Sequence, residues 1–381
     1  MKRHLLVTND FPPKVGGIQN YLWDLWSRLD PSSFVVLTAS SDTGAAAFDA
    51  AQAERGIRIE RVPGRILFFP TPDALATVRA AVEQHGIDLV LLDPALPLGL
   101  LGPHLGVPYG VVLHGAEVTV PGRLPGSRTA LARVLRDARL IVSAGRYPAA
   151  EARRVVPDFA GSLVEIPPGV DVSDIVPLKA AERRAARTRL GLPAEGPLLT
   201  SVSRLVPRKG MDVLIAAANR LAPSYPDLVV AIAGDGRELG HLRRLAAQSP
   251  VRVEVLGRVS TEDRAALLGA ADIFVMACRN RWLGLEQEGF GIVFLEAAAA
   301  GVPQVAGDSG GASEAVLDGE TGLVVPDPGN PGAVAEALRS LLVDPNRRRR
   351  MGRAARSRVQ ESFDNDVLAS RLAAALAGVA I

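Results

Sequence analysis

Two glutamates, Glu288 and Glu296, frame the stretch of this chain with the most chemical content: Glu288-Gly289-Phe290-Gly291-Ile292-Val293-Phe294-Leu295-Glu296. Gly289 and Gly291 leave backbone N–H groups open to a ligand. The apolar run from Ile292 to Ala300, closed by Gly301 and Pro303, reads as a helix whose positive end points at that loop. Unsatisfied N–H groups behind glycine bind anions, and a carboxylate in the same loop is placed to hold hydroxyls beside the anion. Phosphate and hydroxyls together describe a sugar nucleotide. On one continuous helix the two carboxylates would stand about 80° apart. They converge only if Glu288 lies in the loop; the alternative is a helix charge and a solvated glutamate.

A second group of residues lies upstream. Residues 198–203 read as a strand, followed by Arg204-Leu205-Val206-Pro207-Arg208-Lys209-Gly210 and an amphipathic stretch from Met211 to Leu221. Arg204 offers a planar fork of donors and Lys209 a mobile point charge, a pairing suited to adjoining phosphates. A loop at the carboxyl end of a strand in an open α/β sheet is where such ligands bind. Alone, this basic loop reads better as a solvated surface feature; paired with the glutamate motif in the same half, the ligand reading is favoured.

The combination of Ser203-Arg204-Leu205, Lys209-Gly210 and the Glu288/Glu296 motif resembles the retaining GT-B glycosyltransferases of family 4. The likeness covers nearly the whole chain. Asn9-Asp10-Phe11-Pro12-Pro13 with Gly16-Gly17-Ile18-Gln19, then His114-Gly115-Ala116-Glu117, and finally Ser309-Gly310-Gly311 with Glu314 follow in order. Within that family the chain most resembles actinobacterial GDP-mannose-dependent phosphatidylinositol-monomannoside mannosyltransferases, through Cys278-Arg279-Asn280-Arg281, Gly284-Leu285 and Glu288-Gly289.

The resemblance implies an α/β chain of two Rossmann-like, doubly wound domains facing across a cleft. It implies a donor held by Gly16, Gly17, Arg204, Lys209, Glu288, Gly289, Phe290, Gly291, Ile292 and Glu296, with the backbone of Val259 near the base. Glu288 would hold sugar hydroxyls and Glu296 the ribose. Asp10 and Gln19 would face the acceptor, and His114 would sit beside the donor sugar, giving hydrogen bonds in the transition state rather than acting as general base. His114, Arg204, Lys209 and Glu288 are thus the expected catalytic set. Configuration would be retained, the departing phosphate oxygen taking the acceptor proton; double displacement stays open. The nucleotide sugar, GDP-mannose, is a substrate, and neither a metal nor another cofactor is expected. A UDP-sugar transferase with a soluble or other lipid acceptor, and a binding module without turnover, are the rival readings.

The bulk composition agrees with an enzyme of this size. At 381 residues the chain accommodates two domains. A net charge of +2, without a basic stripe interleaved with aromatics, argues against nucleic acid as partner. The single cysteine, Cys278, forms no intramolecular disulfide, fits a reducing compartment, and reads as packing rather than as a nucleophile. The apolar run Leu5-Leu6-Val7 is short for a signal peptide and reads as a first strand. No membrane-spanning run is present, so a cytoplasmic protein, peripheral on the cytosolic membrane face, is expected.

Strand-like runs at 4–8, 34–38, 88–92, 109–113 and 139–143, then 198–203, 228–233, 251–256, 273–277 and 303–306, alternate with helical stretches. The expected division is an acceptor-binding domain over 1–167 and a nucleotide-sugar-binding domain over 168–363, joined by the linker Ile166-Pro167-Pro168-Gly169-Val170-Asp171. A final helix over 364–381 would return to the first domain, and closure about the linker would exclude water. A helix after Gly17 should bury Tyr21, Leu22, Leu25 and Leu29. Gly234-Asp235-Gly236 reads as a plain strand-to-helix turn, Asp364-Asn365-Asp366 as a helix cap, and Arg347 to Arg350 as a solvated helix face. Arg123, Arg128, Arg133, Arg136, Arg139, Arg146, Arg153 and Arg154 face few acids, and Arg128, Leu131, Leu135 and Arg139 fall near helical spacing, so part of this segment reads as a basic amphipathic helix, suited to an anionic membrane surface. Ordinary solvated arginines are the other reading.

Overall fold

A computed structural model describes residues 3–40, 43–64, 66–282 and 286–379, apart from the side chain of Ala116. Gly284 and Leu285, part of the sequence likeness, and the last two residues of the expected final helix lie outside the described residues. The chain divides into two units, Met1–Gly169 with Asn365–Ile381, and Val170–Asp364.

In the first unit seven parallel strands form one sheet: β1 (His4–Thr8), β2 (Phe34–Ala39), β3 (Arg58–Val62), β4 (Leu89–Asp93), β5 (Tyr109–Leu113), β6 (Leu140–Ser143) and β7 (Ser162–Glu165), in the order β3-β2-β1-β4-β5-β6-β7. Helices α1 (Gly17–Trp26), α2 (Ala45–Ala53), α3 (Pro72–His85), α4 (Ala116–Arg123), α5 (Pro125–Asp137) and α6 (Arg146–Val155) connect them. Successive side chains of a strand point to opposite faces. Leu5 and Val7 of β1 join Val90 and Leu92 of β4 in one core, while Leu6 joins Leu89 and Leu91 in the other. A sheet covered on both faces needs strands that are apolar throughout, which is why these strands are legible as unbroken runs.

The second unit repeats the plan with β8 (Leu198–Val202), β9 (Val229–Ala233), β10 (Arg252–Gly257), β11 (Ile273–Met276), β12 (Gln304–Gly307) and β13 (Gly322–Val325), parallel in the order β10-β9-β8-β11-β12-β13. Its helices are α7 (Ala180–Arg189), α8 (Met211–Leu221), α9 (Leu239–Ala247), α10 (Thr261–Ala270), α11 (Ile292–Ala299), α12 (Ala312–Ala315), α13 (Pro331–Leu342) and α14 (Pro345–Ser362). Each sheet reverses its winding once, at β1/β4 and at β8/β11, and the crevice outside the carboxyl ends there is where doubly wound sheets bind ligands.

The last helix, α15 (Asn365–Ala377), belongs to the first unit, where Leu368, Leu372 and Leu376 share a core with Leu6, Leu22 and Trp26. The unit boundaries fall at 169/170 and 364/365 rather than at 167/168 and 363/364. Hydrogen bonds account for both. Ile166 is tied to the first unit by its carbonyl, which accepts from Tyr21 Oη at 2.8 Å, while the Val170 N–H donates to the Phe363 carbonyl at 3.0 Å.

Three further expectations need correcting. Helix α1 ends at Trp26, so Leu29, although buried, lies beyond it. Arg139 likewise lies past the end of α5, whose Leu131 and Leu135 are buried. Arg348 does not simply face solvent: it donates to the carbonyls of Leu341 and Leu342 at 2.7 Å each, closing the end of α13. Among the described residues no helix is long and apolar enough to cross a membrane, and no three His, Cys, Asp or Glu side chains converge as metal ligands.

Candidate active site

In the second unit the basic loop follows β8 and the glutamate loop follows β11, so both leave the sheet at its switch point. The basic loop closes with a short turn, Pro207–Lys209, and Gly210 in the left-handed region at φ 71°. A Cβ on Gly210 would lie 2.0 Å from the Ala277 carbonyl oxygen, so glycine allows the loop to lie against the end of β11. That approach sets Lys209 Nζ 2.6 Å from Glu288 Oε2, with both side chains buried. Lys209 is therefore not the mobile point charge expected from sequence. Opposite charges taken out of water hold each other fixed. Arg204 stays exposed and makes no ion pair among the described residues. Arg208 lies between two carboxylates, with Nε 3.9 Å from Glu288 Oε2 and Nη1 3.7 Å from Glu286 Oε1.

The glutamate loop is shaped by residues the sequence showed only as parts of motifs. The Glu288 N–H donates to Ser309 Oγ at 3.1 Å, and that hydroxyl donates to Asn280 Oδ1 at 2.7 Å. The Gly311 N–H donates to the Glu288 carbonyl at 3.0 Å. Gly310, at φ 52°, comes so close that a Cβ would lie 2.0 Å from that same carbonyl oxygen. Gly234-Asp235-Gly236, read as a turn alone, also braces the basic loop, since the Leu205 N–H donates to the Asp235 carbonyl at 2.9 Å.

Glu288 precedes α11, as convergence required, and Gly289 is exposed with open space at its Cα. Phe290 is buried with its ring 5.8 Å from that of Phe363, Gly291 is the N-cap, and no side chain caps the N–H groups that begin at Ile292. The helix therefore presents free donors and a positive dipole end. Glu296, on α11, pairs with Arg264 Nη2 at 2.9 Å rather than with the Lys209 loop. Burial pushes its carboxyl up from the ordinary range, against the opposing pull of Arg264. Its Oε2 is buried and accepts no hydrogen bond among the described residues. Val259 is partly buried against the core between β10 and α10. Cys278 is buried beneath this loop, its Sγ donating to the Gly307 carbonyl at 3.2 Å, and burial pushes the thiol up to about 12. A thiol held protonated is packing, not a nucleophile.

In the first unit the switch point carries a hydrogen-bonded chain that sequence reasoning missed in part. Thr8, ending β1, and Asp93, ending β4, are register partners. Thr8 Oγ1 donates to Asp93 Oδ2 at 2.8 Å and accepts from the Asp10 N–H at 3.0 Å. Asp10 Oδ1 accepts from Gln19 Nε2 at 2.6 Å, and Lys14 Nζ stands 3.7 Å away. Asp93 Oδ1 lies 2.8 Å from His114 Nε2. Asp10, Gln19 and His114 are thus joined through Thr8 and Asp93. Asp93 was legible as a carboxylate closing the apolar run Leu89-Val90-Leu91-Leu92, at the strand end where ligands bind. Gly16 meets the Gln19 side chain and Gly17 faces open space at the start of α1. Glu117 accepts from the N–H groups of His114 and Gly115.

His114 is held from several sides. Tyr21 meets its ring edge-on at 5.3 Å between centroids, and the Tyr21 hydroxyl, pushed up by burial and by Asp93, stays protonated. Burial disfavours the imidazolium, but the Asp93 carboxylate, through charge and hydrogen bond, outweighs it; with Glu117 and Asp10 adding, the net shift is upward. In the protonated ring Nε2–H donates to Asp93, which leaves Nδ1 as the second edge. An imidazolium donates and stabilises negative charge but accepts no proton, so this histidine is suited to electrostatic work.

Residues 182–358 match the family model described as "Glycosyl transferases group 1". A GDP-mannose-dependent alpha-(1-6)-phosphatidylinositol monomannoside mannosyltransferase of Mycolicibacterium smegmatis is 40% identical over 98% of each chain. A GDP-mannose-dependent monoacylated alpha-(1-6)-phosphatidylinositol monomannoside mannosyltransferase of Corynebacterium glutamicum is 37% identical over 97% of each. Among solved structures, Anabaena HepE in complex with UDP superposes with a TM-score of 0.79 at 21% identity, covering 99% of this chain and all of its own. The chain belongs to the group 1 glycosyl transferases. It is a glycosyltransferase of α/β, GT-B fold, built from two Rossmann-like units.

The histidine geometry generates a pH dependence. A folded pKa raised above the unfolded value of about 6.5 gives stability that is fully present below that value and lost as pH rises through the raised one. The His114 ring resonances should titrate with a midpoint above that of a free histidine, and Asp93→Asn should move it down. An unshifted wild-type midpoint would contradict the assignment.

Proposed function

We propose that the chain transfers mannose from GDP-mannose to a phosphatidylinositol monomannoside, with retention of configuration and without a metal, on the cytosolic face of an anionic membrane. The observation that carries the donor half of this reading is the Lys209–Glu288 pair at the β8/β11 switch point, below an uncapped helix start. The substrate names are those of relatives about as long as this chain and alike throughout it.

Charge develops on the diphosphate as the C1–O bond breaks. Arg204, Lys209 and the N–H groups that open α11 neutralise it, with Gly289 and Gly291 giving the phosphates close access. Glu288 holds sugar hydroxyls, and the free Oε2 of Glu296 suits a ribose hydroxyl. Val259 lends backbone groups to the base, and Phe290 and Ile292 shape the loop and helix start. In the first unit Asp10 and Gln19 suit the hydroxyls of the acceptor. His114, whose protonated form is favoured by Asp93, offers hydrogen bonds and positive charge at the carboxyl edge of the first sheet. The departing phosphate oxygen takes the acceptor proton, so no protein base is required.

The membrane part rests on charge. Arg123, Arg133 and Arg136 are exposed and make no ion pairs among the described residues, and Val120 and Leu124 are exposed beside Arg123. Basic side chains around an apolar tip suit an anionic bilayer.

In a transfer assay with GDP-mannose, UDP-glucose and UDP-N-acetylglucosamine, product should form from the first alone; transfer from a UDP-sugar instead would overturn the donor assignment. Arg204→Ala and Lys209→Ala should each lower turnover by about 10²-fold or more, as for loss of other charge-stabilising donors, whereas near-wild-type rates in both would remove the clamp. Chelator should leave the rate unchanged; activity lost to EDTA and restored by Mn²⁺ would refute metal independence. The protein should sediment with phosphatidylglycerol vesicles at physiological salt, and Arg123→Gln/Arg133→Gln/Arg136→Gln should release it. Absence of wild-type binding would dismiss the membrane surface.

A further inference from the structure

Lys209 has two claims on one ammonium group. It stands 2.6 Å from a buried carboxylate, yet the reaction asks it to meet a diphosphate. A phosphate drawing Lys209 away would leave Glu288 charged, buried and facing further negative charge, which is strongly unfavourable. The other cation beside Glu288 is Arg208, whose Nε lies 3.9 Å from the same Oε2. That Nε is buried and donates to no acceptor among the described residues. The other carboxylate near Arg208, Glu286, is already engaged: its Oε2 accepts from Arg281 Nη1 at 2.9 Å, while Arg208 Nη1 is 3.7 Å from its Oε1. The backbone of Arg208 is anchored, its carbonyl accepting from the Arg279 N–H at 2.9 Å. A rotation of the guanidinium is all that separates a buried, unused donor from Glu288.

We propose that Arg208 is a positioning residue that takes over the Glu288 carboxylate when Lys209 engages the donor diphosphate. This rests on the reading of Lys209 as a diphosphate ligand. The exchange keeps Glu288 paired and oriented toward sugar hydroxyls while freeing Lys209, so the unligated ion pair stores the site in an assembled form. Arg208 acts through Glu288 and does not itself contact the phosphates.

Calorimetric titration with GDP tests the exchange in a double-mutant cycle. Arg208→Gln should weaken GDP binding about tenfold, and Arg208→Lys, which keeps the charge, should recover most of it. In a Glu288→Gln background, with no carboxylate to satisfy, Arg208→Gln should change affinity less than twofold. A merely structural role would weaken binding in both backgrounds alike. Equal affinity of wild type and Arg208→Gln, or equal losses with and without Glu288, would overturn the exchange. If GDP binds wild type and is lost in Lys209→Ala, the donor reading survives that failure; if wild type does not bind GDP, the donor reading falls and takes the exchange with it. Should Arg208→Gln fail to fold, Arg208→Lys and Arg208→Met carry the same comparison.

Discussion

The ion pair between Lys209 and Glu288 constrains everything around it. Two opposite charges at 2.6 Å, both withdrawn from water, tolerate little displacement of either backbone. Gly210 lets one loop lie against the end of β11, and Gly310 and Gly311 close on the carbonyl of Glu288 from the other side. Ser309 and Asn280 complete the enclosure through the Glu288 N–H. The motif residues of the second unit, scattered over about a hundred positions of sequence, are therefore parts of one electrostatic problem: holding the Glu288 carboxylate paired with Lys209 at the carboxyl end of the sheet.

The first unit solves a complementary problem with a different polarity. Asp93 is buried at the end of β4, satisfied by Thr8 and by His114, and its charge favours the protonated ring next to it. Asp10 and Gln19 are tied to the same chain of hydrogen bonds at the carboxyl edge of this sheet. Tyr21 limits the ring from one side. The one thiol is packed away and protonated. That matches a transfer reaction in which the protein orients and neutralises.

Much of this is legible in the sequence. Strands buried on both faces announced themselves as apolar runs, and the basic and glutamate loops were found at their ends. β3, with Arg58, Glu60 and Arg61, was missed because an edge strand with a wet face mixes polar and apolar residues; β13, with only Gly322 to Val325, is too short to stand out. The partner of Lys209 was not legible, since nothing in spacing links positions 209 and 288 across different crossovers of the sheet. Asp93 was overlooked for the opposite reason: the residue was visible, but a single carboxylate has no motif around it. Arg348 looked like one of four solvated arginines, and only its reach to the end of α13 distinguishes it.

The most direct measurement is the position of the diphosphate in a crystal structure of the GDP complex. Phosphate oxygens within hydrogen-bonding distance of Lys209 Nζ, the Arg204 guanidinium and the first N–H groups of α11 are the expected result. A diphosphate bound elsewhere, with the Lys209–Glu288 pair untouched and the α11 terminus unoccupied, would contradict the assignment of the donor site.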